Sequence, residues 1–372
     1  MTTTSGRPSK PRTTLDTITT FRGCAKVDLQ TASVDPLNCD AFFACSFSRL
    51  NGIADRSGLL SAAQLFALRA TSMRSPSKVE ALATIRDLGM ICASLTKHEL
   101  CPANVPGLTE ALLKMSRIAD EIPRETLFSY GPRNPEGKRV RTFTGLSEEE
   151  LFIHSFSKGV SVVARSIELL LQAQAVGPSG RNAPDMIGEA AHHLRTLVQL
   201  VVEVRKGIPA STFTHAIRPY LQPYQVGPKQ YVAPGGGQLP VFLIDMLTWT
   251  SGPRSVLLHQ YIRDNVAYLP RMYRELTDDL EGVPSLLSRC IAAVRNHDAS
   301  TVVVRCLVAL DLLLTSLVQF RFPHKRLTEE NLRLKSYGTY QWQILSRLLD
   351  QTVRARTRVR RVLQQQRVMT TT

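Results

Sequence analysis

The run Phe320-Arg321-Phe322-Pro323-His324-Lys325-Arg326-Leu327 places a histidine directly after a proline, at the end of a long apolar stretch, 298–320. Proline lacks a backbone donor and biases the residue before it away from the helical region, so Phe322 is expected to leave the helix. His324 is then expected at a helix junction. A neutral imidazole held rigidly beside a wide apolar surface suits a metal, and in particular the proximal side of a haem iron. The same side chain could equally stand in solvent against the negative C-terminal end of that helix. The residue by itself leaves both readings open.

A second stretch with chemical potential is 216–249, AIRPYLQPYQVGPKQYVAPGGGQLPVFLIDMLTW. Its five prolines and the glycines at 227 and 235–237 exclude any long helix in its centre. Long irregular segments inside helical proteins are usually functional, because irregular backbone needs specific partners when buried. Pro234-Gly235-Gly236-Gly237 lets the backbone approach a flat ligand closely, and 238–249 is predicted to resume as a helix with its free N–H groups toward the loop. Arg218, just ahead, carries a planar fork that binds a carboxylate through two hydrogen bonds. Its plainer role is a structural pair with an acidic neighbour. No nucleotide-binding glycine pattern is present.

These residues need elements to hold them, and the periodicity supplies helices. Apolar side chains recur at helical spacing over 78–95, 105–119, 184–205, 255–276, 284–294 and 298–320, with a short helix at 327–334 and a last one at 341–366. Ser147 followed by three glutamates and then Leu151-Phe152-Ile153 is a helix start, with Ser147 as the capping residue and a run to about Ala175. Adjacent His192 and His193 point in different directions on a helix and form no chelating pair. No alternating strand pattern or internal repeat is visible, so the class is all-α. Residues 1–35 are polar and Thr/Ser-rich and are expected as a flexible tail with a loosely attached leading segment. Residues 36–372 are expected as one helical domain, with a seam near the turn-rich 131–146.

The chain has 372 residues and a formal net charge of +15, which raises the question of an anionic partner. Much of the excess sits in the N-terminal tail and in Arg354, Arg356, Arg358, Arg360, Arg361 and Arg367 of the last helix. No zinc-finger spacing, RNA-binding aromatic motif or leucine zipper accompanies it, so nucleic acid is not the expected partner. The seven cysteines form neither a paired CxxC nor a CxxCH, which points to reduced thiols, a cytoplasmic location and no covalently attached haem. The apolar stretch 298–320 is interrupted by Arg305 and Asp311, and no signal peptide or membrane span is expected.

Read in order, RDLGMICASLTKH (86–98), PRETLFSYGPRNP (123–135), IRPYLQPYQVG (217–227), YVAPGGGQLPVFLIDMLTW (231–249), FRFPHKRL (320–327) and ARTRVRRVL (355–363) resemble one family. It is the monodechloroaminopyrrolnitrin synthase family, haem proteins of the pyrrolnitrin pathway within the indoleamine/tryptophan 2,3-dioxygenase superfamily. The resemblance spans about 35–365 and implies a single all-α domain around haem b, with His324 as the proximal iron ligand. It places Pro234, Gly235, Gly236 and Gly237 against the macrocycle and Phe152 and Phe156 along the distal pocket, with His154 either reaching it or pointing away. Arg218 would hold a haem propionate or the substrate carboxylate. A bend at 336–340 would lie near the amino-acid group of the substrate, making Tyr337, Thr339 and Tyr340 hydrogen-bonding candidates. A partner carboxylate, carbonyl or water is expected on the second nitrogen of His324.

The implied function is an oxidative haem enzyme of secondary metabolism, acting on tryptophan or a substituted tryptophan with dioxygen or peroxide. An external reductant is implied, and a homodimer stays open. Within that reading a pyrrolnitrin-type rearrangement stands beside a related oxidation; indole 2,3-dioxygenation and a non-catalytic haem-binding or sensor protein are the alternatives. Two departures bear on the choice. Ser336-Tyr337-Gly338-Thr339 stands where the family has Ser-Gly-Gly, and Leu332 where it has tyrosine, so the pocket volume and the tryptophan substituent are left open.

Overall fold

The structure is a computed structural model that describes residues 14–250, 256–296, 300–333 and 339–371. Helix covers 75% of it and the strands amount to one two-stranded sheet, so the class is all-α. The longer helices are α1 (Thr14–Ser33), α2 (Arg56–Ser72), α3 (Lys78–Lys97), α4 (Leu108–Ala119), α5 (Ser147–Val176), α6 (Ala183–Gly207), α7 (Val241–Thr248), α8 (Val256–Val266), α9 (Arg271–Asp279), α10 (Leu286–Arg295), α11 (Thr301–Arg333) and α12 (Thr339–Thr371). The stretch read as tail and leading segment thus carries α1, which packs on α3 and α5. The expected helix over 255–276 is two helices, the first ending at Val266 and the second starting directly after Pro270.

The four long helices α5, α6, α11 and α12 form one layered bundle, and cross-helix pairs fix their directions. Arg165 meets Glu189 at 3.0 Å while the start of α5 meets the end of α6 at Leu151 and Gly207, so these two run antiparallel. Arg305–Asp185 at 2.8 Å and Arg205–Glu330 at 2.6 Å make α6 and α11 parallel. Asp311–Arg360 at 3.0 Å and the bond from Trp342 Nε1 to Glu329 Oε1 at 2.9 Å make α11 and α12 antiparallel. The first turns of α5 and α12 and the last turns of α6 and α11 therefore gather at one end. Helix α11 is long and apolar enough over Thr301–Glu330 to cross a membrane by composition alone. Here Leu313, Leu314, Leu317 and Phe320 turn into the bundle core instead.

A second hydrophobic core, built on α2, α3 and α4, lies beside the bundle, and Phe156 of α5 touches both. Helix α3 was expected to be amphipathic, yet every residue from Ala81 to Leu95 is buried, including Arg86 and Asp87. Its start is held by a reciprocal cap between Ser77 and Glu80. The polar groups inside this half pair tightly. Arg86 binds Asp87 at 2.7 and 2.8 Å, and Arg141 binds Asp87 at 3.3 Å and Asp40 at 2.5 Å. Arg133 spans Glu121 and Asp28 at 2.6 Å each. The charge that composition placed at the termini is thus also inside, where guanidinium groups suit ion pairs out of water. Asp35, Cys39 and Asp87 bring ligand-type atoms within 4.8 Å of one another, but arginines already pair with Asp87 and the backbone N–H groups of Cys39 and Asp40 with Asp35.

The start of α5 also differs from expectation. Ser147 makes no capping bond; Glu149 is buried and accepts hydrogen bonds from Phe143 N (2.9 Å), Thr144 N (2.7 Å), Thr144 Oγ1 (2.6 Å) and Tyr130 Oη (2.7 Å). One of the three glutamates serves as an internal staple, so the turn-rich seam segment is fastened to the bundle.

Gly89 of α3 shows how closely the halves fit. A Cβ there would lie 2.5 Å from Glu125 Oε2 and 2.6 Å from the Glu125 backbone nitrogen. Backbone cannot yield as a flexible side chain can, so Gly89→Ala is expected to cost about 2–3 kcal/mol, at the upper part of the usual overpacking range. Chemical denaturation of the variant beside the parent chain measures it.

Candidate active site

Helix α11 does not break at proline. Pro323 lies inside it, and Thr328 Oγ1 donates to the His324 carbonyl at 3.0 Å as in ordinary helix. The expected junction is therefore absent, and His324 sits within a continuous helix. A proline inside a helix costs about 3 kcal/mol, and packing on either side has to offset that. Arg321 anchors the turn before the proline: it is buried and donates to Asp245 Oδ2 of α7 and to Thr352 Oγ1 of α12. Asp245 also accepts from Trp249 Nε1 at 2.7 Å. Phe322, on the outward side, is 52% exposed, which leaves room for the proline distortion.

One turn past Arg321, the His324 ring packs 5.5 Å from Phe320. Its Nδ1 is buried and has no hydrogen-bond partner among the described residues. Burial, with Arg321 beside it, lowers the imidazole pKa to about 4, so the ring is neutral near pH 7. The second-nitrogen partner expected from the resemblance is thus not among the described residues.

The ring faces the glycine turn. A Cβ on Gly236 would lie 3.3 Å from His324 Nε2 and 3.4 Å from Cε1, so only glycine leaves that nitrogen unpressed. The turn is held from all sides. Gln238 is buried, accepts from Leu127 N at 2.8 Å and donates to Ala233 O at 3.0 Å. Tyr261 Oη donates to Gly237 O at 3.2 Å, and a Cβ on Gly237 would meet Asn265 Oδ1 at 2.8 Å. Gly236–Gln238 forms a single tight helical turn and α7 begins only at Val241, later than the expected start at 238. Pro234 is buried at the base.

The remaining candidates divide. Phe152 and Phe156 lie in the first turns of α5, at the same end of the bundle as the last turns of α11, with rings 4.5 Å apart. Phe152 also meets Phe213 at 5.3 Å. Phe213–Ile217 leads directly into Arg218, whose Nη1 donates to the carbonyl of Leu221 in its own turn. His154 is exposed. Tyr337 lies outside the described residues, as does the bend around it; Thr339 and Tyr340 open α12 at this same end, and their side chains lie outside the description. Between Arg218 and the glycine turn, 224–231 forms a small antiparallel hairpin, β1 (Tyr224–Val226) and β2 (Lys229–Tyr231), turning at Gly227 with φ 61°. Its base is fixed by Tyr224 Oη donating to Glu125 Oε2 at 2.6 Å and by Arg124 donating to Tyr231 O at 2.8 Å.

Sequence reasoning missed Arg321, Asp245, Gln238 and Glu125. A signal existed for the first two: each is a lone charge in an otherwise apolar run, FRF and VFLIDML, and charges are rarely buried unpaired.

A neutral, half-buried imidazole with a buried and unpartnered Nδ1, set against a glycine turn, has the chemistry of a ligand to porphyrin iron, and these residues fit that group. The class this defines is an all-α protein with a metal-ready histidine at one end of its helical bundle. Comparison supplies the family. The family described as monodechloroaminopyrrolnitrin synthase PrnB matches residues 60–314, more than half of the chain, and the chain belongs to it. It is accordingly an enzyme of oxidoreductase type. The family is haem-dependent and works in pyrrolnitrin biosynthesis on a tryptophan-derived substrate with dioxygen. The matched region covers Arg218 and the glycine turn and ends before His324.

Removing one partner of a buried ion pair leaves the other charge unpaired, at a cost of about 3–5 kcal/mol. Arg321→Leu is expected to lose about that much stability in denaturant titration. Adding Asp245→Asn to it should recover part of the loss, because the orphaned carboxylate is gone.

Proposed function

We propose that this chain is a haem b enzyme that oxidises tryptophan or a ring-substituted tryptophan, with His324 as the axial ligand. The observation that carries the reading is the neutral His324 ring, unpartnered at Nδ1 and turned with Nε2 toward Gly236. Bound there, haem would supply the redox chemistry of its iron toward dioxygen, which no side chain offers. The roles left to the protein are binding, orientation and exclusion of water. His324 would hold the iron through Nε2 with its proton on Nδ1, a tautomer that needs the imidazole neutral. Gly235, Gly236 and Gly237 would present backbone without side chains to a flat ring, with Pro234 bracing the turn from its buried base. Phe152 and Phe156 wall the far side with apolar surface, which keeps water from the reacting centre.

Arg218 is the group suited to a carboxylate, from the substrate or from a propionate. Tyr337, Thr339 and Tyr340 are assigned to the amino-acid end of the substrate. An external reductant and a cytoplasmic setting complete the proposal. The family supports the pyrrolnitrin-type rearrangement over plain dioxygenation of the indole, and the mass of the product separates them: two added oxygens would sink the rearrangement.

The test is the visible spectrum of the haem-supplemented protein beside His324→Ala, each with and without L-tryptophan. The parent chain is expected to show a Soret band that shifts with tryptophan and is lost or strongly altered in the variant. Uptake of no haem by either protein would remove the proposal. A subtler variant probes the cradle: Gly236→Ala puts a methyl group against Nε2, a strain of about 1–3 kcal/mol. Haem titration is expected to show affinity lowered by about tenfold or more, each tenfold being about 1.4 kcal/mol.

A further inference from the structure

A cavity of about 400 Å³ lies away from the glycine turn, between α1, the middle of α5 and the segment 132–139. It exists because the facing side chains are small: Ala25 and Ala32 on α1, Ser157, Ser161 and Ala164 on α5. Val160 and Pro132 add apolar wall, and Leu29 stands at the lip, 70% exposed to water. An exposed leucine over an apolar floor leaves hydrophobic surface for a ligand to cover.

The charged lining consists of two carboxylates and one guanidinium, and the guanidinium is already paired outside the cavity. Asp28, buried on α1, lines the cavity, and Glu136 lines it from the opposite segment. Asp28 Oδ1 accepts from Arg133 Nε at 2.6 Å, but the two other nitrogens of that guanidinium go to Glu121 at 2.6 and 2.9 Å. One guanidinium therefore serves two buried carboxylates. Arg139, also in the lining, is engaged with Asp40 at 2.6 Å and with the carbonyl of Ser33 at 3.1 Å. Lys78 adds a weaker positive charge from solvent. Burial outweighs these cations and raises the Asp28 pKa, as expected of a carboxylate short of positive partners.

We propose that this cavity binds a small organic cation with an apolar body, a primary arylalkylamine in type, its ammonium seated on Asp28 and its body on the alanine and valine floor. The ammonium restores the missing positive charge, and a carboxylate in the same place would face Asp28 and Glu136. The site is independent of the haem reading, because neither His324 nor the glycine turn takes part in it.

The test is calorimetric titration of the full chain with phenethylamine, with 3-phenylpropionate as the isosteric anion. Phenethylamine is expected to bind saturably at one site and 3-phenylpropionate not to bind. Asp28→Asn should weaken the amine at least tenfold. Ser161→Phe, which fills the mouth from the exposed side of α5 and leaves the Arg133 pairs untouched, should abolish binding even if the Asp28 variant fails to fold. No saturable amine binding to the parent chain, equal binding of the anion, or undiminished amine binding to Ser161→Phe would each overturn the proposal.

Discussion

The buried pair between Arg321 and Asp245 is the constraint on which the candidate site depends. It joins the end of α11 to α7, the helix that follows the glycine turn, and through Thr352 to α12. Two charges buried together gain little net stability over apolar residues of the same shape, so their value lies in position. Arg321 fixes the rotation of the helix one turn before His324 and carries it through Pro323. Asp245 fixes the helix whose preceding turn brings Gly236 to the imidazole. The same guanidinium adds to the field that keeps the ring neutral. The candidate ligand, the glycine turn facing it and its protonation state therefore share one foundation.

The other side of the glycine turn rests on the second core. Gln238 reaches Leu127 in the seam segment, and Glu125, two residues earlier, ties that segment to Tyr224 of the hairpin and lies against Gly89 of α3. A polar chain thus runs from the buried helix of the N-terminal half to the turn facing His324. Buried polar groups of this kind are costly unless satisfied, and here they are satisfied by one another. The consequence is a rigid approach to the site from both halves of the molecule. Residues held so firmly by packing and hydrogen bonding are what a preorganised binding constellation needs.

Helical periodicity made the class legible, because the apolar stripes of α4, α5, α6 and α10 are set by local sequence and each buries its stripe as read. His324 and the glycine turn were legible for a related reason: a histidine after proline and a triple glycine are rare local signals. The break at Pro323 was misread because local propensity favours it, while the interactions that override it come from α7 and α12, residues distant in sequence. The hairpin 224–231 was hidden among prolines that argued against regular structure. Its pairing is set by contacts to Glu125 and Arg124, about a hundred residues away. The burial of Ala81–Leu95 in α3 was likewise invisible, since the partners of Arg86 and Asp87 lie far away in sequence.

The central claim is that one imidazole, at position 324, is the protein's bond to the iron of a bound haem, and cavity complementation addresses it most directly. Replacing His324 by glycine removes the ring and leaves a space shaped for it. The haem-supplemented glycine variant would be titrated with free imidazole while its visible and electron paramagnetic resonance spectra are followed. Saturable return of the parent spectrum is the outcome required if His324 is the ligand. A variant whose spectrum already equals that of the parent chain, unchanged by imidazole, would place the ligand elsewhere and contradict the claim.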